Sequence, residues 1–141
     1  MARQETMKYI TGMLLDAKKG TTEVVSIEKD NDTSSCEKIY ELLDCQHFDI
    51  LRLKIGTTEV DCYCDDEFLY TKTTEPSGII NGDLRLFGNL LFLDCDFATG
   101  ESISLNLKQI LQIEKNKRFY TLQNLETMEN EQHLLVECEY V

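Results

Sequence analysis

Read as a pattern of hydrophobic and polar positions, "KYITGMLL" at residues 8–15 is a strand, "DAKKGTT" supplies turn chemistry, and "EVVSIE" at residues 23–28 is a second strand. Together they predict an opening hairpin. After the polar break "KDNDTSS" the period changes. Ser34 and Glu37 stand three apart, as a capping box requires, and Cys36, Ile39, Tyr40 and Leu43 follow at i, i+3, i+4 and i+7, the buried face of a short helix.

"FDILRLKI", "GTTE" and "VDCYCDD" then predict a second hairpin. A loop over residues 56–59 sets Ile55 opposite Val60, Leu53 opposite Cys62 and Leu51 opposite Cys64, all on one face. On the other face Lys54 meets Asp61 and Arg52 meets Tyr63, an ion pair and a cation beside a ring. Cys62 and Cys64 are thereby expected in the core, and Asp61 and Asp65 in water. "EPSGIINGD", with the only proline, reads as one long loop before the strand "LFGNLLFLDCDF". "ATGE" turns that strand. A second helix follows, with Asn106 and Gln109 as a capping pair and Leu105 stapled onto Ile110. Leu134, Val136, Cys138 and Tyr140 alternate with polar residues and predict a C-terminal strand. The expected fold class is α+β: a mostly antiparallel sheet of about six strands with two short helices packed on it. Residues 1–141 are expected to form one domain, with a core over 7–114 and a C-terminal strand extension over 119–141.

Composition narrows the function classes. Of 141 residues, 42% are apolar, enough for a core, and 26 acidic against 14 basic side chains give a net charge of −12. That balance argues against nucleic-acid binding, which needs clustered Lys and Arg, and against docking on anionic membranes. Apolar runs such as "NLLFL" are far short of the roughly 20 residues of a membrane span, and "MARQET" lacks the apolar stretch of a secretory signal. Met7 offers an alternative start, which would make the first six residues a vector remnant. The six cysteines sit inside apolar patterns, as small buried hydrophobes do, so a reduced, cytoplasmic protein is expected.

Candidate chemistry is sparse. Cys45, His47, Cys62 and Cys64 are zinc-ligand types, but the hairpin register separates Cys62 from His47 by roughly 20 Å at about 3.4 Å per residue. Zinc ligands converge within about 2.3 Å of one ion, so no metal is expected, and no cofactor either. His47 and His133 are the two imidazoles, and neither lies in a catalytic motif. Asp65, Asp66 and Glu67 form an acidic turn able to serve acid–base work or bind a hard cation, although such clusters more often solvate a strand end. Residues 119–141 carry five glutamates and no Lys or Arg, with Glu126, Glu129 and Glu131 at their centre. Such a face either keeps a protein in solution or occupies a basic groove on another protein.

The runs "IYELLDCQHFDILRLKIGTTEVDCYCDDEFLYTK" and "LFGNLLFLDCDFATGESISL" resemble a domain family of unknown function, number 3846, of small proteins encoded by phages, plasmids and conjugative elements of Firmicutes and related bacteria. The resemblance spans about residues 22–113. It rests on residues 42–45, Asp49, Ile50, Cys64, Asp65, Asp66, Glu67, Gly88, Asn89, Gly100, Glu101, Ser104 and Leu105. Phe68 stands where the family usually has glycine, and Asn106-Leu107-Lys108 replaces an acidic helix start. The family has no established activity, so the resemblance implies a genomic setting rather than a reaction. The expected function is a non-catalytic accessory protein of a phage or mobile element that binds a protein partner with a basic surface, through Asp65, Asp66 and Glu67 or through Glu126, Glu129 and Glu131. The rivals are an acidic nucleic-acid mimic of the anti-restriction kind and a small-molecule binder or enzyme with a pocket at the "DDE" turn.

Overall fold

The computed structural model describes residues 8–29, 34–66 and 75–141, with backbone only for residues 8 and 34–36. β1 (Lys8–Asp16) and β2 (Thr21–Lys29) form the expected hairpin, paired without a bulge from Lys8↔Lys29 to Asp16↔Thr21. α1 (Ser34–Leu43) follows, then the hairpin of β3 (Phe48–Ile55) and β4 (Thr58–Asp65). The side chains of Ser34 and Cys36 lie outside the described residues. Next come β5 (Pro76–Ile80), β6 (Asp83–Phe87), β7 (Leu90–Cys95), β8 (Ser102–Ile103), α2 (Leu107–Lys115), β9 (Lys117–Gln123) and β10 (Asn130–Tyr140). The strands join in the order β2-β1-β7-β4-β3-β10-β5-β6, with β8 on β7 and β9 on β10.

Among the described residues the sheet therefore has ten strands rather than about six, and it is mixed, because β5 runs parallel to β10. The expected long loop "EPSGIINGD" instead contains a hairpin turn. Asn81 and Gly82 both have positive φ, 52° and 84°, as a type I′ turn requires, so β5 and β6 fold back on each other around them. Gly88 at φ 77° breaks the expected strand "LFGNLLFLDCDF" into β6 and β7.

In the β3–β4 hairpin the turn is two residues long. Gly56 at φ 60° is its first central residue, the glycine-first arrangement of a type II′ turn, and Ile55 pairs with Thr58. The expected register is wrong by two residues: Leu53 faces Val60, Leu51 faces Cys62, and Arg52 faces Asp61 rather than Tyr63. A shift by two preserves the faces, so Cys62 and Cys64 are in the core as expected. Asp61 is not in water but buried, because β4 is central and covered on both faces.

Two apolar clusters flank the sheet. One gathers Met13, Leu15, Leu53, Val60, Cys62 and Phe92 with Ile113 of α2 and with Leu134, Val136 and Cys138 of β10. The other packs Ile10, Ile27, Tyr63, Leu91 and Leu93 beneath Ile39 and Leu43 of α1. Burying each large aliphatic side chain contributes about 1.5–3 kcal/mol, which is what holds two short helices to the sheet. α2 starts as expected: Asn106 Oδ1 accepts from the Gln109 N–H, and Gln109 Oε1 accepts from the Asn106 N–H, each at 2.8 Å. Gln109 also donates to the Glu59 carbonyl at 3.0 Å, which ties the helix to β4.

Candidate functional site

The acidic turn closes β4. Asp65 is its last residue, the Asp66 N–H donates to the His47 carbonyl at 3.4 Å, and Glu67 lies outside the described residues. Among the described residues Asp65 borders two cavities. One, of about 280 Å³, is reached past Lys18, Lys19 and Asp44. The other, of about 520 Å³, opens between the ends of β3 and β4 and the strand β6, with Leu51, Leu84 and Phe87 among its apolar residues. Asp49, Asp65 and Asp66 line it together with Arg85 and Tyr140, and Arg85 also pairs with Asp83 at 3.3 Å.

Two thiols near this groove are held in the protonated form. Burial, and then the negative charges of Asp49, Asp65 and Asp66, push the Cys64 thiol up to about 12, so it stays protonated. Burial with Asp65 and Asp66 pushes Cys45 up to about 11. No described imidazole lines either cavity. Cys45, His47, Cys62 and Cys64 do not assemble: among the described residues no three His, Cys, Asp or Glu side chains are placed to hold a metal ion. His133 instead lies between two carboxylates, 3.5 Å from Glu75 and 3.7 Å from Glu131.

Sequence reasoning missed the charge cluster on the sheet. Arg52 Nη1 donates to Asp61 at 3.2 Å and to Asp94 at 3.0 Å, and Phe97 covers the guanidinium with its ring centroid 4.9 Å away. Asp94 stands at the end of β7, and only the strand order brings it beside β3. Burial alone would raise its pKa, but hydrogen bonds from the Cys95 backbone, Gln109 and Arg52 outweigh that and hold it below the ordinary carboxylate value. The cluster ties β3, β4 and β7 together through Arg52 Nη1, while among the described residues the buried Arg52 Nε has no hydrogen-bond partner and lies 3.8 Å from Glu59.

The tail glutamates sit at and beside the tip of the β9–β10 hairpin. The turn over residues 124–129 is held by its own hydrogen bonds. The Asn124 N–H donates to Glu129 O at 2.8 Å, the Met128 N–H to Asn124 O at 2.7 Å, and the Glu126 N–H to Asn124 Oδ1 at 2.9 Å. Two large apolar side chains project from this fixed turn, Leu125 at 82% exposed and Met128 at 64%. Met128 has φ 62°, a conformation that costs an L-residue about 1–2 kcal/mol and persists only where its surroundings impose it. Glu126 and Glu129 flank the pair and are exposed, while Glu131 accepts from Asn124 Nδ2 at 3.4 Å. The sequence signal for this site was available in "NLETMENE", where apolar residues interrupt an otherwise polar turn.

The motif residues of the sequence resemblance have structural work to do. Asn89 Oδ1 accepts from the Ala17 N–H and its Nδ2 donates to the Leu42 carbonyl, each at 3.0 Å, which joins β1, α1 and β7. Ser104 Oγ accepts from the Thr11 N–H at 2.8 Å and the Leu105 N–H donates to Thr11 O at 2.9 Å, zipping the approach to α2 onto β1. A family model described as a domain of unknown function, DUF3846, matches residues 10–118, well over half of the chain. The chain belongs to the DUF3846 family. No curated protein and no solved structure matches it. The DUF3846 match ends before the hairpin tip, although β10 beyond it supplies Leu134, Val136 and Cys138 to the core. No described helix is long and apolar enough to cross a membrane.

Proposed function

We propose that this DUF3846 chain is a non-catalytic protein-binding module whose contact point is the β9–β10 tip. The observation that carries the reading is the pair of exposed apolar side chains, Leu125 and Met128, fixed in a strained turn and flanked by Glu126 and Glu129. Burying two such side chains in a partner's pocket supplies hot-spot energy, and a pre-formed turn pays little ordering entropy. The glutamates fit a socket rimmed by Lys and Arg and steer its approach. In the setting that the family resemblance implies, the accessory protein belongs to a phage or mobile element, works in the cytoplasm, and meets a host or element-encoded partner.

The test is affinity capture from host lysate with three baits: wild type, Leu125→Ser/Met128→Ser, and Glu126→Gln/Glu129→Gln/Glu131→Gln. The account expects one protein recovered by wild type, lost with the apolar variant, and reduced with the glutamine variant at low salt more than at high salt. Equal recovery by all three baits contradicts it. The groove beside Asp65 and Asp66 favours a second reading, a small amphipathic cation bound by the carboxylates over the apolar floor, which Leu84→Lys would abolish while leaving the tip intact.

A further inference from the structure

β2 is the outermost strand at one end of the sheet among the described residues, and apart from the charges of Glu23, Glu28 and Lys29 it lacks the features that blunt an exposed edge. It runs nine residues, contains no proline, and pairs with β1 without a bulge. Natural edges are commonly short, bulged or charged so that no further strand adds to them. Its one lysine, Lys29, stands at the end and is occupied by Glu101 and the Ser102 carbonyl.

The neighbouring strand reveals which of its amides face outward. Thr11 spends both its N–H and its C=O on Ser104 and Leu105, on the side away from β2. Its cross-strand partner Ser26 is therefore in a non-hydrogen-bonded pair, and its own N–H and C=O point to the open edge. By the period of two, the same holds for Thr22, Val24 and Glu28.

An apolar stripe runs alongside. Leu107 and Leu111 of α2 are exposed at i and i+4, and Val24 of β2 is exposed as well. Glu114 continues the stripe at i+7 and accepts from the Thr22 hydroxyl at 2.8 Å, which fixes this side of α2 beside β2. β2 and α2 with their ion-pair partners carry Lys29, Lys108, Lys115 and Lys117 against Glu23, Glu28, Glu101 and Glu114, and Glu37, Lys38 and Glu41 of α1 stand beside Ser26 and Glu28. Five cations against six carboxylates leave this face much nearer neutrality than the whole chain of net −12, so it opposes contact between two copies less than the net charge suggests.

From these features we infer that a second copy of the chain adds to this edge, β2 pairing antiparallel with β2 about a two-fold axis at Val25. That axis bisects the strand. Thr22 then faces Glu28 of the second copy and Val24 faces its Ser26, so every outward amide is used, in about eight hydrogen bonds. No like charges stand directly opposite. The same rotation sets the two α2 stripes side by side on one face of the continuous sheet, where Leu107 and Leu111 of each copy cover those of the other. One operator thus satisfies the strand edge and the apolar stripe together, as an isologous interface must.

Sedimentation equilibrium of the full chain from 1 to 100 µM tests this. Wild type should reach twice the chain mass of 16.3 kDa. Val24→Lys and Leu111→Glu should each raise the dimer dissociation constant at least tenfold, while Leu125→Ser at the hairpin tip should leave it unchanged. A wild-type monomer at 100 µM overturns the inference, and so does a dimer that both variants leave intact. Hydrogen exchange on the wild type alone decides the matter should the variants fail to fold. The Val24 and Ser26 amides should be protected at 100 µM, and exchange at the free rate rules the pairing out.

Discussion

Arg52→Met removes the guanidinium from the cluster on the sheet while keeping the aliphatic stem and its packing. The side chains of Arg52, Asp61 and Asp94 are only 22%, 12% and 19% exposed, so the loss is not that of a surface ion pair, worth about 0–1 kcal/mol. Breaking a fully buried pair costs about 3–5 kcal/mol because a charge is left without compensation. Partial access of water at this site reduces the expected loss to about 2–4 kcal/mol at pH 7.5. The sign of the pH dependence is a second test. In the wild type Asp94 titrates below its ordinary value, so its contribution is complete above about pH 4 and is lost as the pH falls through the folded pKa. In the variant one of the groups holding that pKa down is gone while burial still raises it. The carboxyl then takes up a proton in the acidic range, and the deficit narrows as the pH is lowered from 7.5 to 5. Urea unfolding of both proteins at the two pH values measures this, provided that the m-values agree. A deficit under 1 kcal/mol, or one of the same size at both pH values, would show that the cluster is held by packing under Phe97 rather than by charge.

Two further predictions follow from close packing and burial. Gly12→Ala should destabilise by about 1–3 kcal/mol in chemical denaturation, since its Cβ would stand 2.7 Å from Leu93 Cδ2 and 2.8 Å from the Phe92 carbonyl oxygen; stability within 0.5 kcal/mol of wild type would mean that β1 and β7 are less closely apposed. Burial pushes the Cys138 thiol up to about 12 from 9.0, so alkylation at pH 8 should be about a thousandfold slower in the native protein than after unfolding. Native labelling within tenfold of the unfolded rate contradicts a buried thiol.

The parts of the fold that sequence made legible are those decided by local pattern. The first hairpin, both helices, the Asn106–Gln109 capping box and the inward direction of Cys62 and Cys64 depend on periodicity and caps within a few residues of each other. Turn chemistry was the weaker point. Asn81-Gly82 is a strong hairpin signal, yet the neighbouring proline and glycines drew the segment into a loop, and Gly56-Thr57 closed a shorter turn than expected. Long-range order was out of reach. Nothing in "VDCYC" announces a strand covered on both faces, and Asp94 meets Arg52 only because β4 lies between β3 and β7. The candidate site divides in the same way: the acidic tail was visible as charge, but that Leu125 and Met128 project from its tip is a property of the turn's hydrogen bonding.

Site-specific photocrosslinking tests the central claim, protein binding through the β9–β10 tip, most directly. A benzophenone side chain replaces Leu125 in one protein and Leu84, in the groove beside Asp65, in another, and both are irradiated in host lysate. The account predicts one prominent adduct from position 125. Excess unlabelled wild type should abolish it, and excess Leu125→Ser/Met128→Ser should not. An adduct that forms from position 84 and not from 125, or one from 125 that the apolar variant competes as well as wild type does, contradicts it.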